Sequence, residues 1–185
     1  MSSSSAEPHR RRSDAERNRD RILVAARAVL ADRAGEVSMA EVARRARVGM
    51  ATLYRNFPGR RELLEALYAK EVDELCQAAG QVSGPPEAAL IAWLRRFAAF
   101  HRSKHPIAAE LLRHTDAADP VFGSSRDRVL AAGQPLLAAA QQAHEVRADL
   151  ALDQVLDLVL AATTIPREPA YVEPILQAVL DGLRG

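Results

Sequence analysis

The run "SMAEVARRARVGMATLYRNFPGRRELL", residues 38–64, restricts the fold more than any other part of the chain. Apolar residues recur in it at helical spacing, but in very short pieces. Ser38-Met39-Ala40-Glu41 has the pattern of a capping box, in which the Ser38 hydroxyl accepts a backbone N–H three residues on and Glu41 reaches back. Val42, Ala43 and Ala46 then face inward, predicting a helix over 38–46. Arg47-Val48-Gly49 follows, with Gly49 placed as a turn glycine. A second short helix is expected over 50–56, broken by Phe57-Pro58-Gly59. Pro58 suits the opening of the next helix, over 60–79, because a first turn does not need its missing N–H. That helix carries Leu63, Leu64, Leu67, Tyr68, Val72 and Leu75 on one face.

Helices this short are marginal alone and need a longer neighbour to bury their apolar side. The segment 14–32 supplies it: Ile22, Leu23, Ala26, Val29 and Leu30 form one stripe, and Gly35 stands where a helix stop is expected. Two short helices joined by a tight turn and packed on a first helix make a helix-turn-helix. The second of them has to enter a major groove about 12 Å wide, so its leading side chains should be slender. Gly49, Met50, Ala51 and Thr52 fit that demand, while Thr52, Tyr54, Arg55 and Arg60 offer hydroxyls and cations for phosphates. Val48, Leu53 and Phe57 are the side that holds the helix pair together. Met50 and Ala51 carry no side-chain hydrogen-bonding group, so base reading falls to apolar contacts, to Arg47 and to DNA shape. Ser38 is a cap with room for a phosphate contact besides, Tyr54 serves either a phosphate or the packing on helix one, and Arg44, Arg45 and Arg61 are solvated surface or phosphate contacts.

Charge is distributed in the same sense. Residues 1–61 hold 14 of the 25 basic and 7 of the 24 acidic residues, leaving 11 basic against 17 acidic in the remainder. A basic front and an acidic rear point to a polyanion at the front alone. Residues 1–13, "MSSSSAEPHRRRS", read as a disordered basic arm, with Arg10, Arg11 and Arg12 as solvated tail or DNA grip. The arm lacks the apolar stretch of a secretory signal, and no segment approaches the ~18 apolar residues of a membrane span. Cys76 is the only cysteine, which excludes a disulfide framework and a Cys-based zinc site and fits a reducing, cytoplasmic setting.

At the level of family, "ILVAARAVLADRAGEVSMAEVARRA" followed by "VGMATLYRNFPGRRELLEALY" resembles the DNA-binding domain of TetR-family transcriptional regulators over about residues 19–67. The resemblance implies an all-α fold: an N-terminal three-helix DNA-binding domain over 14–61 and a C-terminal helical domain over 62–185, bridged by helix four. It implies phosphate contacts from the Thr52 hydroxyl, the Tyr54 phenol and the cation opening helix four, which is usually lysine and here is Arg60. It also implies that Met50 and Ala51 face base edges.

Beyond the linker "GQVSGPP" at 80–86, helices are expected over 86–102 and 106–114, then a loop over 115–123. A helix over 124–144, kinked or restarted at Pro135, and helices over 152–163 and 171–184 complete the chain. The segment "AQQAHEVRADLALDQVLDLVLAA" resembles a TetR-family branch that often carries glycine before Arg-x-Asp, with His144-Glu145 near the expected glycine, so the local turn is expected to differ. The resemblance implies a homodimer with the last two helices as its seam. Their stripes, Val155, Leu158, Val159, Ala162 and Ile175, Leu176, Val179, Leu183, serve either that seam or the core of one chain. It implies a small-molecule effector in the rear domain. Trp93, Phe97, Phe100, His101, Leu111 and His114 are the candidate lining, with plain core as the other reading.

No metal or cofactor is expected. His101 and His105 are four apart, but Pro106 and the missing third ligand argue against chelation. No Ser/His/Asp or paired-carboxylate pattern joins His101, His105, His114 and His144 into a catalytic set, so an enzyme is not expected. The expected function is a TetR-like repressor that binds a palindromic double-stranded DNA operator as a dimer and leaves it when a small molecule binds. A ligand-independent architectural DNA-binding protein of the same fold is the alternative.

Overall fold

The structure, a computed structural model, describes residues 6–32, 37–112 and 120–184. Those residues form eight helices: α1 (Ala6–Asp32), α2 (Met39–Ala46), α3 (Met50–Asn56), α4 (Arg60–Ala79), α5 (Pro86–Leu112), α6 (Pro120–Gln142), α7 (Leu152–Thr163) and α8 (Pro169–Asp181). Among the described residues the only β-type pairing is an isolated bridge between Val146 and Arg184. No described helix is long and apolar enough to cross a membrane.

The chain divides into two compact units. One takes Met1–Tyr68 with Pro106–Asp116, the other Ala69–His105 with Ala117–Gly185. The core of the first is the expected stripe of α1 (Ile22, Ala26, Val29) closed by Val42, Leu53, Leu63, Leu64 and Leu67, all with no exposed surface. In the second, α7 packs on both α6 and α8.

Several helix ends differ from expectation. The helix of α1 begins at Ala6 and so runs into the segment expected to be a disordered arm. Arginine and glutamate are good helix formers, and Pro8 falls in the first turn, where no N–H is required. The segment 86–112 is one helix, α5, with no break at Pro106. Proline inside a helix costs about 3 kcal/mol; Ile107 and Leu111, one turn apart and both buried, supply an opposing packing term. The expected loop over 115–123 is helical from Pro120 onward, with proline at the first position of α6. The helix of α6 also continues through Pro135. Ahead of α4, the Gly59 carbonyl accepts from Leu63 N at 3.2 Å, so Gly59 takes the cap position and Pro58 lies outside the helix it was expected to open. Gly35, His114 and residues 115–119 lie outside the described residues.

The expected capping box at α2 is half formed. Ser38 is the N-cap, and its Oγ accepts from Glu41 N at 3.4 Å. Glu41 does not reach back. Its carboxylate accepts from Arg44 at 2.7 and 2.8 Å and from Arg45 at 2.8 Å. Charge-assisted bonds of this kind are roughly twice as strong as neutral ones. They hold the Glu41 pKa down to about 2, the Arg44 bond contributing most. Arg45 also reaches Asp32 at 2.6 Å, tying α2 to the end of α1.

Candidate nucleic-acid interface

The turn between α2 and α3 is built on Arg47, not on Gly49. Arg47 has φ 55° and ψ 43°, in the left-handed region. Its N–H donates to Arg44 O at 3.2 Å, and Val48 N donates to Ala43 O at 3.1 Å. This hydrogen-bond pair is the Schellman arrangement, whose left-handed position usually holds glycine. Gly49 is extended, with φ −70° and ψ 152°, a conformation open to any residue. Its role is to cap α3: the Gly49 carbonyl accepts from Thr52 N at 2.9 Å and Leu53 N at 3.0 Å. The sequence expectation placed the turn glycine two residues late.

From that turn α3 projects with one face in and one face out. Leu53 and Phe57 are buried, as expected for the packing side, and Val48 is half-buried. Met50, Ala51, Tyr54 and Arg55 are exposed, with 40% of Met50 and 47% of Tyr54 open to solvent. Met50 and Tyr54 stand one helical turn apart on this outward face. Thr52 stands at the edge, half-buried. Its Oγ1 accepts from Arg55 Nη2 at 3.0 Å, and its carbonyl accepts from Asn56 Nδ2 at 2.8 Å. Arg55 Nε also donates to Ala51 O at 3.3 Å, so the Arg55 guanidinium lies along α3. Arg60, at the first position of α4, and Ser38, capping α2, are both half-buried.

Arg19 belongs to this neighbourhood and was missed. Its guanidinium lies 4.5 Å from the centre of the Phe57 ring, and its Nη1 donates to Asn56 O, the last carbonyl of α3, at 3.4 Å. A cation at a helix C-terminus is favoured by the helix dipole. In sequence Arg19 is one of several arginines on the polar side of α1, and spacing does not single it out.

The rear residues separate differently from expectation. Trp93, Phe97, Phe100 and His101 stand together on α5, with Trp93 and Phe97 rings 6.3 Å apart and the Phe97 and His101 rings edge-on at 4.6 Å. Trp93 is wholly buried, and its Nε1 donates to Leu75 O at 3.2 Å. Gly133 of α6 lies directly against its ring. Trp93 is therefore core, its one polar atom satisfied within the chain. Leu111 is buried in the other compact unit. A surface groove of about 530 Å³ is lined by Ala88, Ile91, Ala92 and Arg95 of α5 with Glu145 and Arg184, and none of Trp93, Phe97, Phe100, His101 and Leu111 lines it.

Of the eight residues expected at a dimer seam, Val155, Val159, Ala162, Leu176 and Leu183 are buried within a single chain. Val155, Val159 and Ala162 of α7 and Leu176 of α8 pack inward on their own chain, and Leu183 is buried beyond the end of α8. Leu158 is 44% exposed, and Ile175 and Val179 are half-buried. Tyr171, 59% exposed and 5.8 Å from the Arg167 guanidinium, stands on α8 as well.

A family profile described as bacterial regulatory proteins, tetR family, matches residues 22–67, and one described as the C-terminal domain of SbtR-like transcriptional regulators matches residues 85–185. The chain is similar to a TetR transcriptional regulator of Streptomyces coelicolor, with 37% identity, 90% of this chain and 98% of that one covered, and a TM-score of 0.76. It is similar to a TetR transcription regulatory protein of Mycobacterium vanbaalenii, with 30% identity, coverage of 94% and 99%, and a TM-score of 0.77. The TetR-like regulator LfrR of Mycobacterium smegmatis, in complex with proflavine, is 26% identical, with coverage of 92% and 98% and a TM-score of 0.62. No curated protein matches.

Proposed function

The chain belongs to the TetR family of transcriptional regulators, and on that premise we propose that it is a dimeric repressor, released from a palindromic operator by a small molecule. The observation that carries the DNA-binding part is the outward face of α3. Met50 and Ala51 lead, Tyr54 and Arg55 follow, and Leu53 and Phe57 anchor the helix from behind. Met50 and Ala51 enter the major groove. The Tyr54 phenol and the cations Arg55 and Arg60 take phosphates, with Thr52 and Ser38 at the margin. Residues 14–61 carry this activity, and residues 62–185 carry dimerisation and effector binding.

A second copy docks on the outer face of α7 and α8, where Leu158, Ile175, Val179 and Tyr171 are exposed or half-exposed. The complex of LfrR with proflavine supports a small-molecule effector for this chain too. Such an effector lowers DNA affinity by its preference for the conformer with misaligned recognition helices. The protein acts as a binder in the cytoplasm, not as an enzyme.

The test is selection from a randomised library of double-stranded oligonucleotides, followed by anisotropy titration of the enriched duplex. The expected result is a two-fold symmetric consensus with half-sites about one helical turn apart, or a multiple of it. Tyr54→Phe should weaken binding evenly across sequences. Failure to enrich any sequence, with no salt-dependent binding, would refute the proposal.

A further inference from the structure

We propose that Arg47 is the specificity-determining side chain of the interface, held in a strained turn so that its guanidinium reads a guanine edge that Met50 and Ala51 cannot. This rests on the DNA-binding reading above and adds to it a role, a target and a conformational cost. Among the described residues only Arg47 and His144 combine a side chain with positive φ. A Cβ is disfavoured there, and glycine is the residue that closes such a turn without strain. The turn would therefore close better without the arginine. Strain of this kind persists where the surrounding fold over-determines it, and it clusters at functional sites.

The surroundings of Arg47 say what the side chain is free to do. It is exposed and stands three residues before Met50, the first residue of α3. The two cations before it in α2 are already engaged: Arg44 and Arg45 share the Glu41 carboxylate, and Arg45 adds Asp32. Among the described residues the Arg47 guanidinium has no hydrogen-bond or ion-pair partner. It thus brings unspent donors to the end of α3 whose own side chains have none. A guanidinium fork matches the O6 and N7 acceptors of guanine in the major groove, the commonest specific contact between arginine and DNA.

Three measurements on wild type, Arg47→Gly and Arg47→Lys test this. The melting temperature of Arg47→Gly should rise by a few degrees, since the left-handed residue becomes glycine. Selection from randomised duplexes should return for wild type a consensus with a G·C pair in each half-site at which Arg47→Gly shows no preference. On the wild-type consensus, Arg47→Gly should bind roughly ten-fold or more weakly, and on a duplex changed at that pair the two proteins should bind alike. Arg47→Lys keeps the charge without the fork and should recover only part of the discrimination.

Equal losses on all sequences, with the salt dependence of log K falling by about one, would make Arg47 a phosphate contact and overturn the assignment. Unchanged binding would overturn it as well, and a lowered melting temperature would overturn the argument from strain. If wild type itself enriches no sequence, the DNA-binding reading fails first and takes this inference with it.

Discussion

Replacing Gly133 with alanine should destabilise the rear unit, and the size of the effect can be worked from one contact. A Cβ at Gly133 would lie 2.2 Å from Trp93 Cη2, 2.4 Å from Cζ3 and 3.0 Å from Cζ2. Carbon atoms in contact prefer about 3.5–4.0 Å, so the overlap exceeds an ångström at two positions. The indole cannot swing away cheaply. Trp93 has no exposed surface, and its Nε1 is bonded to Leu75 O at 3.2 Å. Overpacking of this kind costs about 1–3 kcal/mol, and loss of the Nε1 bond about 1 kcal/mol more. Against this, alanine gains about 0.5–1 kcal/mol over glycine inside a helix. The net is a loss of about 2 kcal/mol, or roughly 4–8 °C in melting temperature for a chain of this size. Circular dichroism at the helical minimum reads the melt. Trp93 is the only tryptophan, so a red shift of its emission in Gly133→Ala reports the displaced ring. The three crowded atoms belong to the six-membered ring of the indole, so Trp93→Phe should relieve the clash. In that background Gly133→Ala should cost little, leaving a coupling above about 1 kcal/mol. A rise in melting temperature on Gly133→Ala, or additivity of the two changes within about 0.5 kcal/mol, would refute the reasoning.

The remaining expectations concern helix ends. Glu41, held at about pKa 2 against an ordinary 4.5, contributes stability that is complete above pH 4.5 and is lost as pH falls toward 2. Glu41→Gln should therefore melt below wild type at neutral pH, with the gap closing across that acid window. A gap that persists at pH 2 would mean the Arg44 and Arg45 bonds are not its source. Ser38→Ala should lose about 0.5–1 kcal/mol in denaturant unfolding and Ser38→Asp should recover most of it, because the position caps α2. His144→Gly should raise the melting temperature by about 2–4 °C, since His144 stands at φ 57° with Glu145 N donating to Ala140 O. A fall would show that the imidazole makes a contact worth more than the backbone strain.

Sequence reasoning located α3, α4 and α7 to the residue, because each is bounded by punctuation with one physical meaning. Gly49 precedes α3, Phe57-Pro58-Gly59 separates α3 from α4, and Thr163 ends α7 before Pro166. It failed where punctuation competes with packing. Pro106 and Pro120 were read as breaks, yet both lie in helices, one of which also buries Ile107 and Leu111. The turn at Arg47 was misassigned to Gly49 because propensity names the residue that would be comfortable, and the chain uses one that is not. His144 repeats that choice, holding a left-handed turn with a side chain in place. The stripes of α7 and α8 were legible as faces to be buried, but periodicity does not say whether the partner is the same chain or another. Val155 and Leu176 went to the former.

The left-handed Arg47 also has a consequence for how the sequence can drift. Every arginine codon is a single base change from a glycine codon, so the strain in this turn is always one mutational step from relief. Laboratory evolution for thermal stability alone should find Arg47→Gly early, among the stabilising changes that marginally stable proteins leave open. Evolution under a requirement for operator recognition should discard it. A library passed through both screens in parallel would separate the two pressures at one codon, and the residue recovered there would report which of them the turn was built to satisfy.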